Sequence, residues 1–396
     1  MKRDIIKLNA PERFSPPYEI SCEKLMRAAE KACDKLEYVT KRDGLGFPGT
    51  CSVNYRYLRE PNKNWETGMY TGCFWLAYQL TGNRFFKECA EAHLKTYEER
   101  LDKCIGMDSH DVGFVFTPSC VAAYRLTGNE YARDLALRAL DYFFEHSYSH
   151  EGKFIIRSWR NWATGGGCRT MMDSLMNAPL LYWASEETGD AKYREAALDH
   201  TRTTEKYLIR RDSSSYHHYQ FDPKDASPLH GVTLQGNSDE SCWSRGHAWG
   251  MYGFPIAYHY TGADFLPEVH KDIAYFMLNH LPEDNIPYWD YDFTSGDEPR
   301  DASASCISVC GMHEILKKLP DTAEQKAIFA GAAPRLLEAV IDNCTEETYF
   351  EFDGLIRRVT HAKPQGTGFD ECAVYGDFFY LEALARYLLP DFKMYW

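Results

Sequence analysis

The chain has 396 residues, a formal net charge of −14 at pH 7, 44% apolar residues and 26% charged ones. That is long enough for two domains or for one large ring or barrel. The acidic balance argues against general affinity for nucleic acid or an anionic membrane, and no run approaches the ~18 apolar residues of a spanning helix.

The opening MKRDIIKLNAPERF has no apolar core of the kind a signal peptide needs, so residues 1–18 read as an irregular arm. Apolar periodicity then predicts helices at 19–40, 66–80, 84–102, 115–126, 130–147, 171–187, 191–210, 245–261, 265–280, 302–318, 322–342 and 371–389. A short mark recurs between them, Thr-Gly followed by Asn or Asp, at 81–83, 127–129, 188–190 and, as a variant, 261–264. The glycine suits a left-handed helix end, and the Asn or Asp suits the cap of the next helix. The first helix of most pairs is aromatic and apolar, and the second is richer in Glu, Lys and Arg. That is the contrast between an inner and an outer helix.

Six such hairpins predict an all-α fold, an (α/α)6 barrel or six-hairpin toroid, as a single domain over 1–396. The uneven spacing of the marks reads as growing loops, with an open solenoid as the alternative. The long connections 41–65, 103–114, 148–170, 211–244, 281–301 and 343–370 all precede inner helices. They should gather at one end and form the mouth of a cleft. GKFIIRSW and FEFDGLIRRV alternate in a way that suits short strands.

The 27 Tyr, 22 Phe and 9 Trp fit either a bulky core or a carbohydrate cleft. The 13 cysteines show no CxxC spacing, which points to free thiols in a reducing cytoplasm. Asp173, in RTMMDSLMNAPLLYW, is a carboxylate in an apolar segment, and Asp111 in DSHDVGFVF has similar surroundings. Buried carboxylates are costly, so a pair of them suggests acid–base chemistry, with helix capping as the plain alternative. Asn177 is one turn beyond Asp173 and could orient its carboxylate. His217 and His218 precede FDP, and Gln235, Trp243, Arg245, His247 and Trp249 meet at a helix start.

Tryptophans around an arginine suit a sugar acid, the rings stacking and the guanidinium forking the carboxylate. A buried arginine with a structural partner is the alternative. Trp65 is a further stacking candidate, and the glycines at 165–167 suit an anion cradle or a tight turn. No nucleotide fingerprint, HExxH or GxSxG is present, and His217, His218, His230 and His247 match no standard metal spacing. The expectation is no metal and no cofactor.

HDVGF at 110–114, MMDSLMNAPLLYWA at 171–184, SSSYHHYQFDP at 213–223, QGNSDESCWSRGHAWGMYG at 235–253 and YGDFFYLEAL at 375–384 together resemble the unsaturated glucuronyl hydrolases, glycoside hydrolase family 88. The resemblance implies an (α/α)6 barrel that needs no metal. It implies action on oligosaccharides left by polysaccharide lyases, whose non-reducing end is a 4,5-unsaturated uronic acid. The reaction it implies is hydration of the C4–C5 double bond, after which the hemiketal rearranges and the glycosidic bond falls apart. In that pattern Asp173 is the general acid and base, and Asp111 the second essential aspartate. His217 and Gln235 sit at the site, Arg245 near the uronate carboxylate, and Trp249 and Trp65 against the ring. Two departures stand out: His247 where family members often carry Gln, and no tryptophan near Tyr375.

The expected substrate is an unsaturated uronate-containing di- or oligosaccharide from a glycosaminoglycan. The partners expected are no nucleic acid and no membrane, with the protein a cytoplasmic monomer or homodimer. The rivals are a rhamnogalacturonyl or ulvan-type specificity of the related family 105, and an inert carbohydrate-binding toroid or helical scaffold.

Overall fold

The computed structural model describes residues 3–161, 166–345 and 351–396. Its helices are α1 (Cys22–Asp43), α2 (Thr67–Thr81), α3 (Arg84–Asp102), α4 (Val112–Phe116), α5 (Ala122–Thr127), α6 (Glu130–His146), α7 (Pro179–Thr188), α8 (Ala191–Leu208), α9 (Ser244–Thr261), α10 (Leu266–Asn279), α11 (Ala302–Leu316), α12 (Glu324–Cys344) and α13 (Val374–Leu388). A π-helical turn, Thr117–Val121, joins α4 and α5 into one irregular inner helix. Pro118 in that turn cannot donate to a helical ladder, so the chain widens there instead of breaking.

The fold is an (α/α)6 barrel. Around the inner ring α9 packs on α11, α11 on α13, α13 on α2, and α2 on the α4–α5 helix, while α7 closes the ring against α9. The outer layer is α3, α6, α8, α10, α12 and α1. Nearly every residue of α11 is buried, whereas α3 buries a single face. Close approach of the inner helices requires glycine at specific points. A Cβ on Gly311 would stand 1.9 Å from the Met251 carbonyl oxygen, and one on Gly113 would stand 2.4 Å from that of Asn177.

The recurring mark acts as its chemistry predicts. Gly82, Gly128 and Gly189 end α2, α5 and α7 at φ of 68°, 68° and 74°. Asn83, Asn129 and Asp190 then cap α3, α6 and α8 by accepting from Phe85, Ala132 and Lys192 N–H. The variant differs: Gly262 ends α9 in the same way, but α10 starts from Phe265 with no side-chain cap.

The predicted strands need correction. Of GKFIIRSW only Phe154–Ile155 forms a strand, β4, paired with β3 (Tyr148–Ser149). From FEFDGLIRRV the described residues contribute one isolated bridge, Val359 to Glu371. A small hairpin, β1 (Phe47–Pro48) with β2 (Arg59–Glu60), lies in the first long connection. The sheet that matters was not anticipated: β5 (Arg169–Met171), β6 (His218–Phe221) and β7 (Pro228–Val232) run antiparallel beside the mouth. The arm before α1 contains one short 3-10 turn, Pro11–Arg13, and Arg3 ties it to Glu205 and Asp272 on outer helices. Among the described residues no helix is long and apolar enough to cross a membrane.

Candidate active site

The two aspartates reach the site from irregular ends of inner helices. Asp111 immediately precedes α4, but its side chain does not cap it. Its Oδ2 accepts from Ser109 Oγ at 2.7 Å instead. Asp173 lies in a 3-10 turn, Met172–Met176, between β5 and α7, so the expected continuous helix 171–187 is split. Met172 N–H donates to the His217 carbonyl at 3.0 Å, which fastens this turn to the sheet. Asp108, three residues before Asp111, ties down the loops. It accepts from Ser158 Oγ at 2.9 Å and from Arg160 N–H, joining two mouth loops.

His110, not singled out by the sequence reading, sits between the carboxylates. Its Nε2 lies 3.2 Å from Asp111 Oδ1 and 3.1 Å from Asp173 Oδ1. Neither contact is an aligned hydrogen bond. Burial opposes protonation of His110, but the two neighbouring carboxylates outweigh it and raise its pKa above 6.5. Burial, countered by His110 and reinforced by Asp173, raises the Asp111 carboxyl. His110 and Asp111 are therefore both shifted toward holding a proton, His110 by the neighbouring carboxylates and Asp111 by burial.

A cavity of about 220 Å³ opens onto this set. Asp111, Asp173, Trp65, His217, Gln235, Trp243, Arg245 and Trp249 all line it. His110, Phe114, Arg157, Met171, Leu234, His361 and Gln365 line it too, and the sequence reading assigned none of them. The adjacency of His110 to Asp111 could have flagged that residue. Arg157, His361 and Gln365 lie in loops with no telling pattern.

His217 is held by Leu234 N–H, which donates to its Nδ1 at 3.3 Å. A neutral ring must then carry its proton on Nε2, which has no hydrogen-bond partner among the described residues, and the His217 side chain lines the cavity. Burial, with His218 and Arg245 nearby, holds the His217 pKa well below 6.5. His217 is thus a fixed donor toward whatever occupies the cavity. Trp243 covers it at 4.4 Å between ring centroids. Trp65 stacks on Tyr375 at 5.4 Å and 17°, and Trp249 meets Phe114 at 5.2 Å.

Two expectations are corrected. Arg245 is not a free fork. Its Nη1 donates to Asp301 at 2.7 Å and to the Thr360 carbonyl at 2.6 Å, and its Nη2 donates to the His361 carbonyl at 2.6 Å. Its guanidinium lies between the Trp243 and Tyr375 rings, 4.6 and 4.4 Å from their centroids. Burial favours this arrangement only because Asp301 is present, so Arg245 chiefly fastens the 360–361 loop to α9 and α11. Gln235 fastens the same loop through Nε2 to the His361 carbonyl at 2.8 Å.

Asn177 does not orient the Asp173 carboxylate. It is fully buried, donates to the Asp173 backbone carbonyl at 3.3 Å and accepts from Phe114 N–H at 2.7 Å. It acts as a brace between the turns that carry Asp173 and Asp111. His247 packs inside, with Nδ1 on Ser215 Oγ at 3.0 Å and Nε2 donating to the Ile273 carbonyl at 2.9 Å. Gly165 of the predicted anion cradle lies outside the described residues. No group of three or more His, Cys, Asp or Glu among the described residues is arranged to hold a metal ion.

The comparisons with known proteins agree with one another. Residues 50–346 match the model of Glycosyl Hydrolase Family 88. The chain is 36% identical over 396 residues to the unsaturated chondroitin disaccharide hydrolase of Streptococcus pneumoniae, covering 100% of this chain and 99% of that one. It is similar to the crystal structure of unsaturated glucuronyl hydrolase from Streptococcus agalactiae, with a TM-score of 0.95, 36% identity and 100% of each chain covered. An aspartate-to-asparagine mutant of the Streptococcus agalactiae enzyme, complexed with dGlcA-GalNAc6S, matches at a TM-score of 0.89 and 34% identity, covering 100% of this chain and 99% of that one.

Proposed function

The chain belongs to glycoside hydrolase family 88 and is a glycoside hydrolase; on that footing we propose that it removes a 4,5-unsaturated uronic acid from the non-reducing end of glycosaminoglycan oligosaccharides left by lyases. The observation that carries this reading is the pair Asp111 and Asp173 meeting on one imidazole nitrogen inside an aromatic cavity. An aspartate mutant of a 34%-identical relative, complexed with dGlcA-GalNAc6S, supports the substrate class.

In the proposed reaction Asp173 delivers a proton to C4 of the enol ether. The alkene electrons form the new C4–H bond, and positive charge develops at C5 and the ring oxygen. A water then adds its oxygen to C5, and its proton returns to Asp173, so the carboxyl ends as it began. The C5 hemiketal opens to a ketone, leaving C1 as a hemiacetal that expels the next sugar as an alcohol. One water is consumed and one glycosidic bond is broken.

Fixed charges serve such a path. The carboxylates oppose the oxocarbenium-like charge at short range in a site largely shielded from water. Asp111, with Ser109 and His110 on its oxygens, would hold substrate hydroxyls and keep the site polarised. His217 Nε2–H would donate to a sugar oxygen, and Trp65 and Trp249 would bound the ring faces. A reducing, cytoplasmic setting fits the thirteen unpaired cysteines, eleven of them wholly or partly buried.

The test is direct. Unsaturated chondroitin, hyaluronan, heparin and pectin disaccharides absorb in the ultraviolet through the conjugated alkene, and hydration removes that band. Loss with a glycosaminoglycan disaccharide is expected. Loss with the pectin-derived substrate alone would favour the rhamnogalacturonyl-type specificity, and loss with none would refute the hydrolase reading.

A further inference from the structure

Residues 389–396, after α13, form neither helix nor strand, yet Phe392, Met394, Tyr395 and Trp396 are all buried. The stretch lies across the end of the barrel opposite the cavity. Trp65, Asp111 and Arg245, which line the cavity, stand at the starts of α2, α4 and α9. Residues 394–396 are held at the other ends of inner helices. Arg125 of α5 donates to the carbonyls of Met394, Tyr395 and Trp396 at 3.1, 3.1 and 3.2 Å. Tyr260 of α9 donates to the Trp396 carbonyl at 2.8 Å, and the Tyr395 hydroxyl donates to Gln79 of α2 at 2.6 Å.

From there the wholly buried Trp396 side chain enters the barrel. It lies parallel to Phe379, with ring centroids 5.9 Å apart and 10° between planes. It meets Phe114, Phe378 and Tyr252 edge to face at 6.1, 5.6 and 6.5 Å. Its Nε1 donates to Glu382 Oε2 at 3.0 Å, so the indole is fixed at its polar edge as well as by its ring neighbours.

Two of those neighbours carry the tryptophans of the cavity. Phe114 lies 5.3 Å from Trp65 and 5.2 Å from Trp249, and Phe379 lies 5.5 Å from Trp249. Phe114 also shares its helical turn with Asp111, whose carbonyl accepts from Val115 N–H at 3.1 Å. A column of packed rings thus joins the two ends of the barrel. A close-packed interior has little slack, so a loss at the base of the column displaces its top.

We propose that Trp396 is a positioning residue for the rings that bound the sugar. It supports Phe114 and Phe379 from the far end of the barrel and so sets the placement of Trp65 and Trp249. The inference rests on the proposed function and extends it to a residue that does not line the cavity.

The experiment compares Trp396→Ala, Trp396→Leu and Trp396→Phe with the wild type on an unsaturated chondroitin disaccharide, followed by loss of the ultraviolet band. Phe329→Ala is the control. Phe329, in the outer helix α12, is equally buried, but its ring neighbours are His270 and Tyr275. Each protein is assayed well below its own melting temperature. Both alanine variants should melt lower than the wild type. Trp396→Ala should lower kcat/KM about 10- to 100-fold, the scale of a misplacement of roughly 1 Å in a site, with most of the loss in KM. Trp396→Phe keeps a flat ring and should recover most of that loss, and Trp396→Leu less. Phe329→Ala should keep the wild-type KM.

A wild-type KM in Trp396→Ala, or an equal rise in Phe329→Ala, would mean support of the fold alone and overturn the proposal. A fall in kcat with KM unchanged would overturn it too. If Trp396→Ala fails to fold, Trp396→Leu decides: a raised KM that Trp396→Phe restores upholds the proposal, and a wild-type KM overturns it. A wild type inactive on every unsaturated disaccharide would refute the functional reading itself. An active wild type with unchanged Trp396 variants would refute this proposal alone.

Discussion

His110 Nε2 stands 3.1 Å from Asp173 Oδ1, and the same nitrogen stands 3.2 Å from Asp111 Oδ1. This contact connects the two aspartates. The carboxylates come from different helical hairpins, and the imidazole between them pulls down the pKa that burial raises at Asp111. A cation there moderates the repulsion that would otherwise keep the two acids from sharing charge.

Replacing that imidazole tests its role. His110→Asn should lower kcat by about 10²-fold, the size expected when a proton-handling group is lost. It should also move the limb of the pH profile governed by Asp111 to higher pH. Burial already raises Asp111, and the charge of His110 is what pulls it back. An unchanged kcat and profile, measured from pH 5 to 9, would remove His110 from the proton-handling set.

Arg245 separates a structural brace from a substrate ligand. Arg245→Ala leaves Asp301 buried without its cation, which should cost about 3–5 kcal/mol of stability. The expected result is a melting temperature lowered by many degrees and a loosened 360–361 loop. An unchanged melting temperature with a purely raised KM would restore the sequence-based assignment of Arg245 to the uronate carboxylate and contradict its role as a brace.

Acid should destabilise the fold from pH 6.5 downward. Burial lowers the pKa of His93 and His247 to about 4 and of His200, His270, His313 and His361 to about 3, against 6.5 for a free imidazole. Below pH 6.5 the unfolded chain binds protons at these rings and the folded chain does not. Stability therefore falls as pH falls from 6.5 toward 4, by about 1.4 kcal/mol per unit for each ring. Glu66 and Asp377, raised to about 7 by burial, work the opposite way across that window but are outnumbered. Denaturant midpoints at pH 7, 6 and 5 should drop steeply; equal midpoints would contradict this balance.

Much of the barrel was legible because helix ends carry local chemistry. Gly82 with Asn83, and Gly128 with Asn129, announce a turn without reference to the rest of the chain. The sheet at the mouth was not legible, since Arg169–Met171 pairs with His218–Phe221 across a separation that no local pattern encodes. The same reason hid the break before Pro179: the Asp173 turn is held by a bond to His217, a distant residue.

The site divided along similar lines. Asp111 and Asp173 stood out because carboxylates are costly among apolar neighbours. The bracing partner of Arg245, Asp301, was not legible because it lies 56 positions away. Asn177 misled: its spacing from Asp173 was right, but its amide serves backbone groups on both aspartate-bearing turns.

The central claim is that Asp173 sends its proton to an alkene carbon. The most direct measurement is turnover of an unsaturated chondroitin disaccharide in D2O, followed by NMR, for the wild type and Asp173→Asn. The account predicts one deuterium at C4 of the product, on a single face, appearing in step with sugar release, and none from a folded Asp173→Asn protein beyond a trace. Release of the sugar with deuterium spread over both faces of C4, or undiminished turnover by Asp173→Asn, would contradict it.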